Sequence, residues 1–310
     1  MNEFLFIEYL RKKIPGSGQV CVGIGDDAAV MSVDKGKKLI VSTDLIVENV
    51  DFKMKTLSPE KIGRKALAIN LSDIAAMGAK PTAFVISVGK PSYVTVAWLK
   101  RFYDGLLKFA KQYDVACIGG DFSSSKEFFA SVTILGEASP NQVVTRSGAK
   151  AGDWIVVTGA LGGSILRHHH DFTPRVREGL FLANHITPTS MIDISDGLVQ
   201  DLSHILKTSK VGAVLDLDEI PVSADAKKMS KGNRSKSLER ALSDGEDFEL
   251  LFTVPPRKKI MLESAWRKRF PKVPLSWIGR TEGKASHISW RRNGKAVAMP
   301  KLSQKGFSHF

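Results

Sequence analysis

Aspartates recur in this 310-residue chain at positions where a packed core is expected. Asp26 and Asp27 stand side by side behind two glycines in the otherwise apolar run VGIGDDAAVM. Adjacent side chains on a strand point to opposite faces, so at most one of the pair reaches solvent easily and the other needs a partner. Asp44 follows the apolar run LIVST and Asp121 follows VACIGG, each at the end of a predicted strand. MIDISDG adds Asp193 and Asp196, with Asp193 and Ser195 on one strand face opposite Ile192 and Ile194. Taken singly, Ser195 or Asp196 reads as an N-cap of the helix starting near Leu198. SDGEDFELL contributes Glu246 and Asp247 immediately before another apolar strand. Asp73 is the most informative, because Ile62, Ala66, Ile69, Asp73 and Met77 recur at helical spacing and form one stripe that should face the core. An inward carboxylate takes up a proton, pairs with a buried arginine or backbone donors, or binds a cation.

No Lys or Arg accompanies these acids inside the same motifs. Clustered carboxylates repel one another unless a divalent cation neutralises them, and all-oxygen ligands point to Mg²⁺ rather than Zn²⁺. The neighbouring glycines would let a polyphosphate approach the backbone. Mg-nucleotide chemistry follows without a Walker A motif, since GALGGS and GGDFSSSK lack its spacing. GALGGS reads equally well as a packing turn. The run RHHHD reads as a solvated loop, because three consecutive side chains cannot converge in regular structure, and His185, His204, His287 and His309 show no ligand spacing.

The elements that must position these residues alternate in type, which gives a mixed α/β (α+β) class. CVGIGDDAAVMSV and KKLIVSTDLIV read as paired strands joined at DKGK. SPEKIGRKALAINLSDIAAMGAKP reads as a helix with Ser58 as cap, Pro59 in the first turn, and Gly78 and Pro81 as stops. TAFVISVGKP, VACIGGD and FFASVTILGEA read as strands and TVAWLKRFYDGLLKFAKQYD as an amphipathic helix. A composition change at TRSGAKAGDW places a domain boundary near residue 145, giving domains 1–144 and 145–310. SADAKKMSKGNRSKS reads as a polar mobile loop.

Net charge is +13, and its distribution matters more than its size. Residues 1–250 carry 31 basic and 30 acidic groups, whereas residues 251–310 carry 14 and 2. Stretches such as WRKRFPK and SWRRNGK could suit a phosphate backbone, but a solvated helix face with lysine- and arginine-protected strand edges accounts for them without a nucleic-acid motif. Cys21 and Cys117 lie in apolar runs and read as buried, reduced thiols. With no apolar run of about 20 residues and no secretory signal, the expectation is a cytoplasmic protein without a membrane span.

Taken in order, GIGDDAAV, VSTDLIVENVDF, KALAINLSDIAAMGAKP, IGGD, TRSGAKAGDWIVVTG, IDISDGL, GEDFELLFTV and the terminal GFSHF resemble the thiamine-monophosphate kinase family. That family belongs to the superfamily of aminoimidazole ribonucleotide synthetase, selenophosphate synthetase and a hydrogenase maturation protein. The resemblance implies an N-terminal domain whose sheet pairs with that of a second subunit in a homodimer barrel. It also implies a C-terminal α/β domain closing a cleft that holds ATP and several Mg²⁺ ions. Asp27, Ser42, Thr43, Asp44, Asp73, Asp121, Asp193 and Asp196 match metal positions, Thr43 through its backbone. Gly120, Asp121, Arg146 and Ser195 match ATP contacts, while Asp51, Glu246 and Phe307 stand at substrate positions. Asp51 replaces a histidine and Phe307 a tryptophan or tyrosine common in the family, so acceptor specificity is where this chain departs. The implied reaction is in-line transfer of the ATP γ-phosphoryl group to thiamine monophosphate with no covalent protein intermediate. The rival readings are another ATP-using member of the superfamily and a nucleic-acid-binding protein acting through the basic region.

Overall fold

The computed structural model describes residues 9–10, 12–14, 19–22, 30–283, 287–300 and 302, and the side chains of 21, 22 and 30 are not among the described parts. Asp26, Asp27 and Phe307 therefore lie outside the described residues. The chain divides into two compact units, Met1–Ile74 with Ala79–Asn141, and Ala75–Gly78 with Gln142–Phe310.

In the first unit, strands β1 (Val20–Val22) and β2 (Val30–Met31) pair antiparallel with each other. Among the described residues, the segments expected to pair across DKGK do not: β3 (Lys38–Val47) pairs with a strand some 90 residues later, in a four-stranded sheet. That sheet also holds β4 (Lys80–Lys90), β5 (Ala116–Ser124) and β6 (Phe129–Ala138), in the order β3-β6-β4-β5. Only β4 and β5 run parallel. Two helices, α1 (Pro59–Ala76) and α2 (Val96–Gln112), join these strands. Thr95 caps α2 by accepting from the Trp98 N–H at 3.1 Å. Helix α1 closes with a Schellman arrangement: Gly78, at φ 67°, donates to Ala75 O and Ala79 to Ile74 O.

Period-two alternation sorts β3 into two faces. Ile40 and Ile46 are buried with Ala130, Val132 and Ile134 of β6, whereas Leu39, Val41 and Leu45 are 49, 56 and 51% exposed on the other face. One side of the sheet is thus covered and the other presents an apolar row to solvent.

Helices α1 and α2 cross at backbone contact. A Cβ at Gly63 would stand 2.1 Å from Phe102 O, and one at Gly105 2.0 Å from Glu60 O. Glu60 and Arg101 ion-pair at 2.6 Å over the same crossing, and the Arg101 guanidinium brings the Glu60 carboxyl down to about 2. Arg64 lies over the Phe109 ring at 4.2 Å. Cys117 is a buried free thiol, pushed up to about 12 by burial.

The second unit is built on a seven-stranded sheet of β7 (Trp154–Thr158), β8 (Ser190–Asp193), β9 (Gly212–Asp216), β10 (Leu250–Val254), β11 (Leu275–Glu282), β12 (Ile288–Arg292) and β13 (Lys295–Val297). Its order is β13-β12-β9-β11-β7-β10-β8, and all pairs but β12 with β9 are antiparallel. Between strands lie α3 (His168–Asp171), α4 (Val176–Phe181), a π-helical turn over Leu182–Ile186, α5 (Leu198–Ser209), α6 (Ala224–Met229), α7 (Arg234–Ser243) and α8 (Lys259–Arg269). Helices α6 and α7 replace the expected polar loop; Ser223 and Asn233 supply N-caps that the loop reading overlooked, and Ala226, Leu238, Ala241 and Leu242 are buried. Among the described residues no helix is long and apolar enough to cross a membrane.

The α1–α2 crossing leaves no room for a methyl group. Gly63→Ala should lower stability by about 1–3 kcal/mol, the usual cost of overpacking, measured as a fall in urea midpoint with unchanged slope.

Candidate active site

The acids of the first unit do not share one face. Asp44 lies in the middle of β3, not at its end, with its N–H donating to Asn70 Oδ1 at 3.1 Å. Asn70 is fully buried and donates in turn to Ala66 O at 2.9 Å. Ser42 donates its hydroxyl to Asp73 Oδ2. Helix α1 therefore brings Asn70 and Asp73 against Asp44 and Ser42, which share a face of β3. Asp73 continues the buried stripe of Ile62, Ala66 and Ile69 and turns toward the covered face of β3, as the stripe implied. Ile62, Ala66, Leu67, Leu71 and Ile74 are buried around much of α1, and Asp73 is a half-open position beside β3.

Thr43 takes the opposite face of β3, where its hydroxyl donates to Val132 O at 3.1 Å and accepts from Thr133 Oγ1 at 3.0 Å. Asp121 is also elsewhere. It sits inside β5 and pairs with Ser87, which pairs with Ser131, which pairs with Leu45, so it belongs to the open face. Gly120 shares the row of Asp44 across the width of the sheet. A Cβ there would meet Ile86 O at 2.1 Å, so this glycine is required by strand packing. The Asp51 carboxylate accepts from the Val47 N–H at 2.7 Å, and its carbonyl accepts from buried Lys65 at 2.9 Å, which gives it a turn-closing role.

In the second unit the structure does bring motifs together. Asp193, at the end of β8, is only 4% exposed. Beyond it the chain continues as a ladder with residues 246–249: Glu246 N–H donates to Ser195 O, Phe248 N–H to Ile194 O, and Ile194 N–H to Glu249 O. Ser195, Asp196 and Glu246 are neighbours for that reason. Neither Ser195 nor Asp196 caps α5. The cap position is Gly197, at φ 113°, and Asp201 accepts from the Asp196 and Gly197 N–H groups at 3.0 and 3.1 Å. Burial, then the nearby charges of Asp193 and Asp196, push the Asp201 carboxyl up to about 8. Gln200 donates to Asp196 at 3.1 Å. Ligand atoms of Asp196, Asp201 and His204 lie within 4.8 Å of one another, so His204 joins the acidic group despite having no spacing that marked it.

GALGGS is a packing turn. Gly162 N–H donates to both Asp247 oxygens at 2.9 Å and Gly163 N–H to Asp244 at 2.9 Å, so these amides hold protein carboxylates. Burial drives the Asp247 carboxyl well above the usual range, against the pull of the Gly162 N–H. Glu249, Arg175 and Thr158 form a further buried cluster, with Arg175 Nε donating to Glu249 at 2.7 Å. RHHHD is a helical turn, not a solvated loop. Nε2 of His168 meets Asp247 O at 2.9 Å, His169 and His170 are buried, and His169 Nδ1 lies 3.8 Å from Glu246. Phe172 stacks on Phe248 at 4.1 Å, which anchors the turn. Arg146 is exposed, its carbonyl accepting from Thr208 and Ser209 at the C-terminal end of α5, away from Asp196 at the other end.

The donor set of each unit is oxygen-rich, which suits a hard divalent cation better than a thiophilic one. Mutual repulsion among Asp193, Asp196 and Asp201 is the feature a bound cation would relieve.

Residues 25–138 match the family AIR synthase related protein, N-terminal domain. A thiamine-monophosphate kinase of Rhodopirellula baltica is 39% identical over 98% of this chain and 96% of its own length. This chain belongs to the thiamine-monophosphate kinase family. Among solved structures, thiamine-monophosphate kinase from Stenotrophomonas maltophilia K279a superposes with a TM-score of 0.81, at 31% identity over 96% of this chain and 98% of that one. AaThiL complexed with AMPPCP and TMP matches at a TM-score of 0.74, with 30% identity over 99% and 97% of the two chains. Membership of this family accounts for motifs spread along the whole chain, from VSTDLIVENVDF to GEDFELLFTV.

Because its carboxyl is held well above the usual range, Asp247 should tolerate a neutral isostere. Asp247→Asn should stay within about 1 kcal/mol of the parent at pH 7, while Asp247→Ala, which strands the Gly162 N–H, should lose about 1–3 kcal/mol by denaturant titration.

Proposed function

We propose that this chain transfers the γ-phosphoryl group of ATP to thiamine monophosphate, giving thiamine diphosphate and ADP. The observation that carries the reading is near-full-length likeness to AaThiL in complex with AMPPCP, an ATP analogue, and TMP. Both reactants are polyanions, so the barrier lies chiefly in bringing phosphates together and spreading charge along an in-line path. The acceptor phosphate oxygen is already ionised, and no protein nucleophile is required.

In this proposal Asp44 and Asp73, with Ser42, hold Mg²⁺ in the first unit, and Asp193 and Asp196 do so in the second. Asp27, Thr43 through its backbone, and Asp121 from the opposite face of the sheet complete the proposed metal set. Bound Mg²⁺ would screen phosphate repulsion and stabilise charge on the transferring group. The chain's own groups prepare those ligands. Ser42 orients the Asp73 carboxylate, Asn70 fixes the backbone at Asp44, and Asp201 ties down the turn carrying Asp196. Gly120, Asp121, Arg146 and Ser195 are the proposed ATP contacts, with Arg146 neutralising phosphate charge. Glu246 and Phe307 are proposed to meet the acceptor. Asp51, whose carboxylate closes its own turn, is the weakest member of that group.

A homodimer belongs to the same proposal, supported by the open apolar row of Leu39, Val41 and Leu45. Cytoplasmic residence agrees with the free thiol of Cys117.

Incubation with Mg-ATP and thiamine monophosphate should yield thiamine diphosphate, detected by chromatography, and aminoimidazole-pathway precursors should yield no product. Asp73→Asn and Asp121→Asn should each lower turnover by at least about 100-fold with unchanged melting, since a positioned metal clamp supplies several kcal/mol to the transition state. Unchanged turnover at limiting Mg²⁺ in either variant removes that residue from the metal set. Val41→Lys, which places a charge in the open apolar row, should convert a dimer to monomer in light scattering; a parent that is already monomeric refutes the dimer.

A further inference from the structure

Three cations of the basic C-terminal region, Lys258, Lys259 and Arg280, have visible partners. Lys258 Nζ donates to Ile186 O and to the carbonyl and hydroxyl of Thr187, closing the π-helical turn. Lys259 lies over Trp154 at 4.2 Å and Trp277 at 4.8 Å, and pairs with Glu263 at 3.9 Å. Arg280 stacks on Trp154 at 3.9 Å. These cations are part of the packing.

A second group is not. α4, the π-helical turn, the end of α8 and the segment that follows it line an open pocket of about 980 Å³ in the second unit. Arg177, Lys268, Arg269 and Lys272 stand exposed around it, and among the described residues none of the four forms an ion pair. Its walls include Phe181 and Phe270, both half-buried, with ring centroids 5.5 Å apart. Trp266 braces Phe270 from behind at 4.7 Å and is itself fixed by donating to Val273 O at 2.7 Å. Glu178 is the one acidic residue in the described lining. It is buried, and burial raises its carboxyl above the ordinary range.

Four like charges converging on one concavity repel each other, and an anion relieves that repulsion. Aromatic walls favour a ligand with a flat apolar part beside its charge. The basic track reaches Arg267, and one turn further toward the start of α8 the adjoining depressions hold Glu263, which pairs with Lys259 at 3.9 Å. That argues for a compact anion over an extended phosphate backbone. We propose that this cavity binds a small phosphorylated compound carrying a planar ring, of the nucleotide class, with its phosphates on Arg177, Lys268, Arg269 and Lys272 and its ring against Phe181 and Phe270. The site uses none of the residues assigned above to phosphoryl transfer.

The test is calorimetric titration of the full chain with ADP in EDTA, repeated with inorganic pyrophosphate and with a single-stranded RNA of about 12 nucleotides. The parent should bind ADP without Mg²⁺ and bind pyrophosphate more weakly. Lys268→Glu with Arg269→Glu, both on exposed positions, should weaken ADP binding at least about 10-fold while Mg-ATP turnover of thiamine monophosphate stays within about 2-fold. Absent ADP binding, or ADP binding indifferent to the charge reversal, overturns the proposal. Pyrophosphate binding as tightly as ADP overturns the role of the ring, and charge-sensitive RNA binding without ADP binding overturns the small-molecule ligand. Turnover measured on the same preparations separates failure here from failure of the kinase reading.

Discussion

Buried carboxylates that accept from backbone amides hold the second unit's functional segments in place. A carboxylate withdrawn from water must find donors or a proton, and an amide at a sharp turn must find an acceptor. Asp247 and Asp244 meet the Gly162 and Gly163 amides, and Asp201 meets those of Asp196 and Gly197. Each pairing satisfies two groups that would otherwise be costly. Together they set where the end of β8 and residues 246–249 lie, and so where Asp193, Asp196 and Glu246 stand. Acidity in this chain therefore has two structural uses: some carboxylates are acceptors for the fold, and others are left to bear on one another.

The first unit solves a related problem by close packing. Gly63 and Gly105 let two helices touch through their backbones, which fixes α1 over the sheet without adaptable side chains between them. Asn70 and Asp73, farther along α1, then reach β3 with little freedom. Asn70 serves both partners, accepting from Asp44 N–H and donating to Ala66 O.

Motif order made the family legible from the chain alone, and a long periodic segment such as α2 was legible from its apolar spacing. What stayed hidden depended on partners distant in sequence. Asp44 and Asp121 read as strand ends because LIVST and VACIGG precede them, yet both strands continue, with β3 paired along its whole length to β6. Asp201 gave a signal, an acid in the first turn of a helix following SDG, but its role depends on amides exposed by Gly197. RHHHD read as solvent-facing because only its own neighbours were considered, whereas Phe172 stacking on Phe248 draws it inward. Asn70 carried the clearest overlooked signal, an uncharged polar residue at a buried position one helical turn before Asp73.

Strand β3 carries two surfaces in alternate residues: Ser42 and Asp44 turn toward α1, while Val41, Thr43 and Leu45 line the open face. Because side chains on a strand alternate strictly, these surfaces are locked in phase. Inserting or deleting a single residue upstream within β3 would exchange them, sending the acid and hydroxyl outward and the apolar row against the helix. Evolution can therefore change the chemistry of this strand by replacement but not by altering its length, and the segment should tolerate substitutions far better than frame-preserving indels.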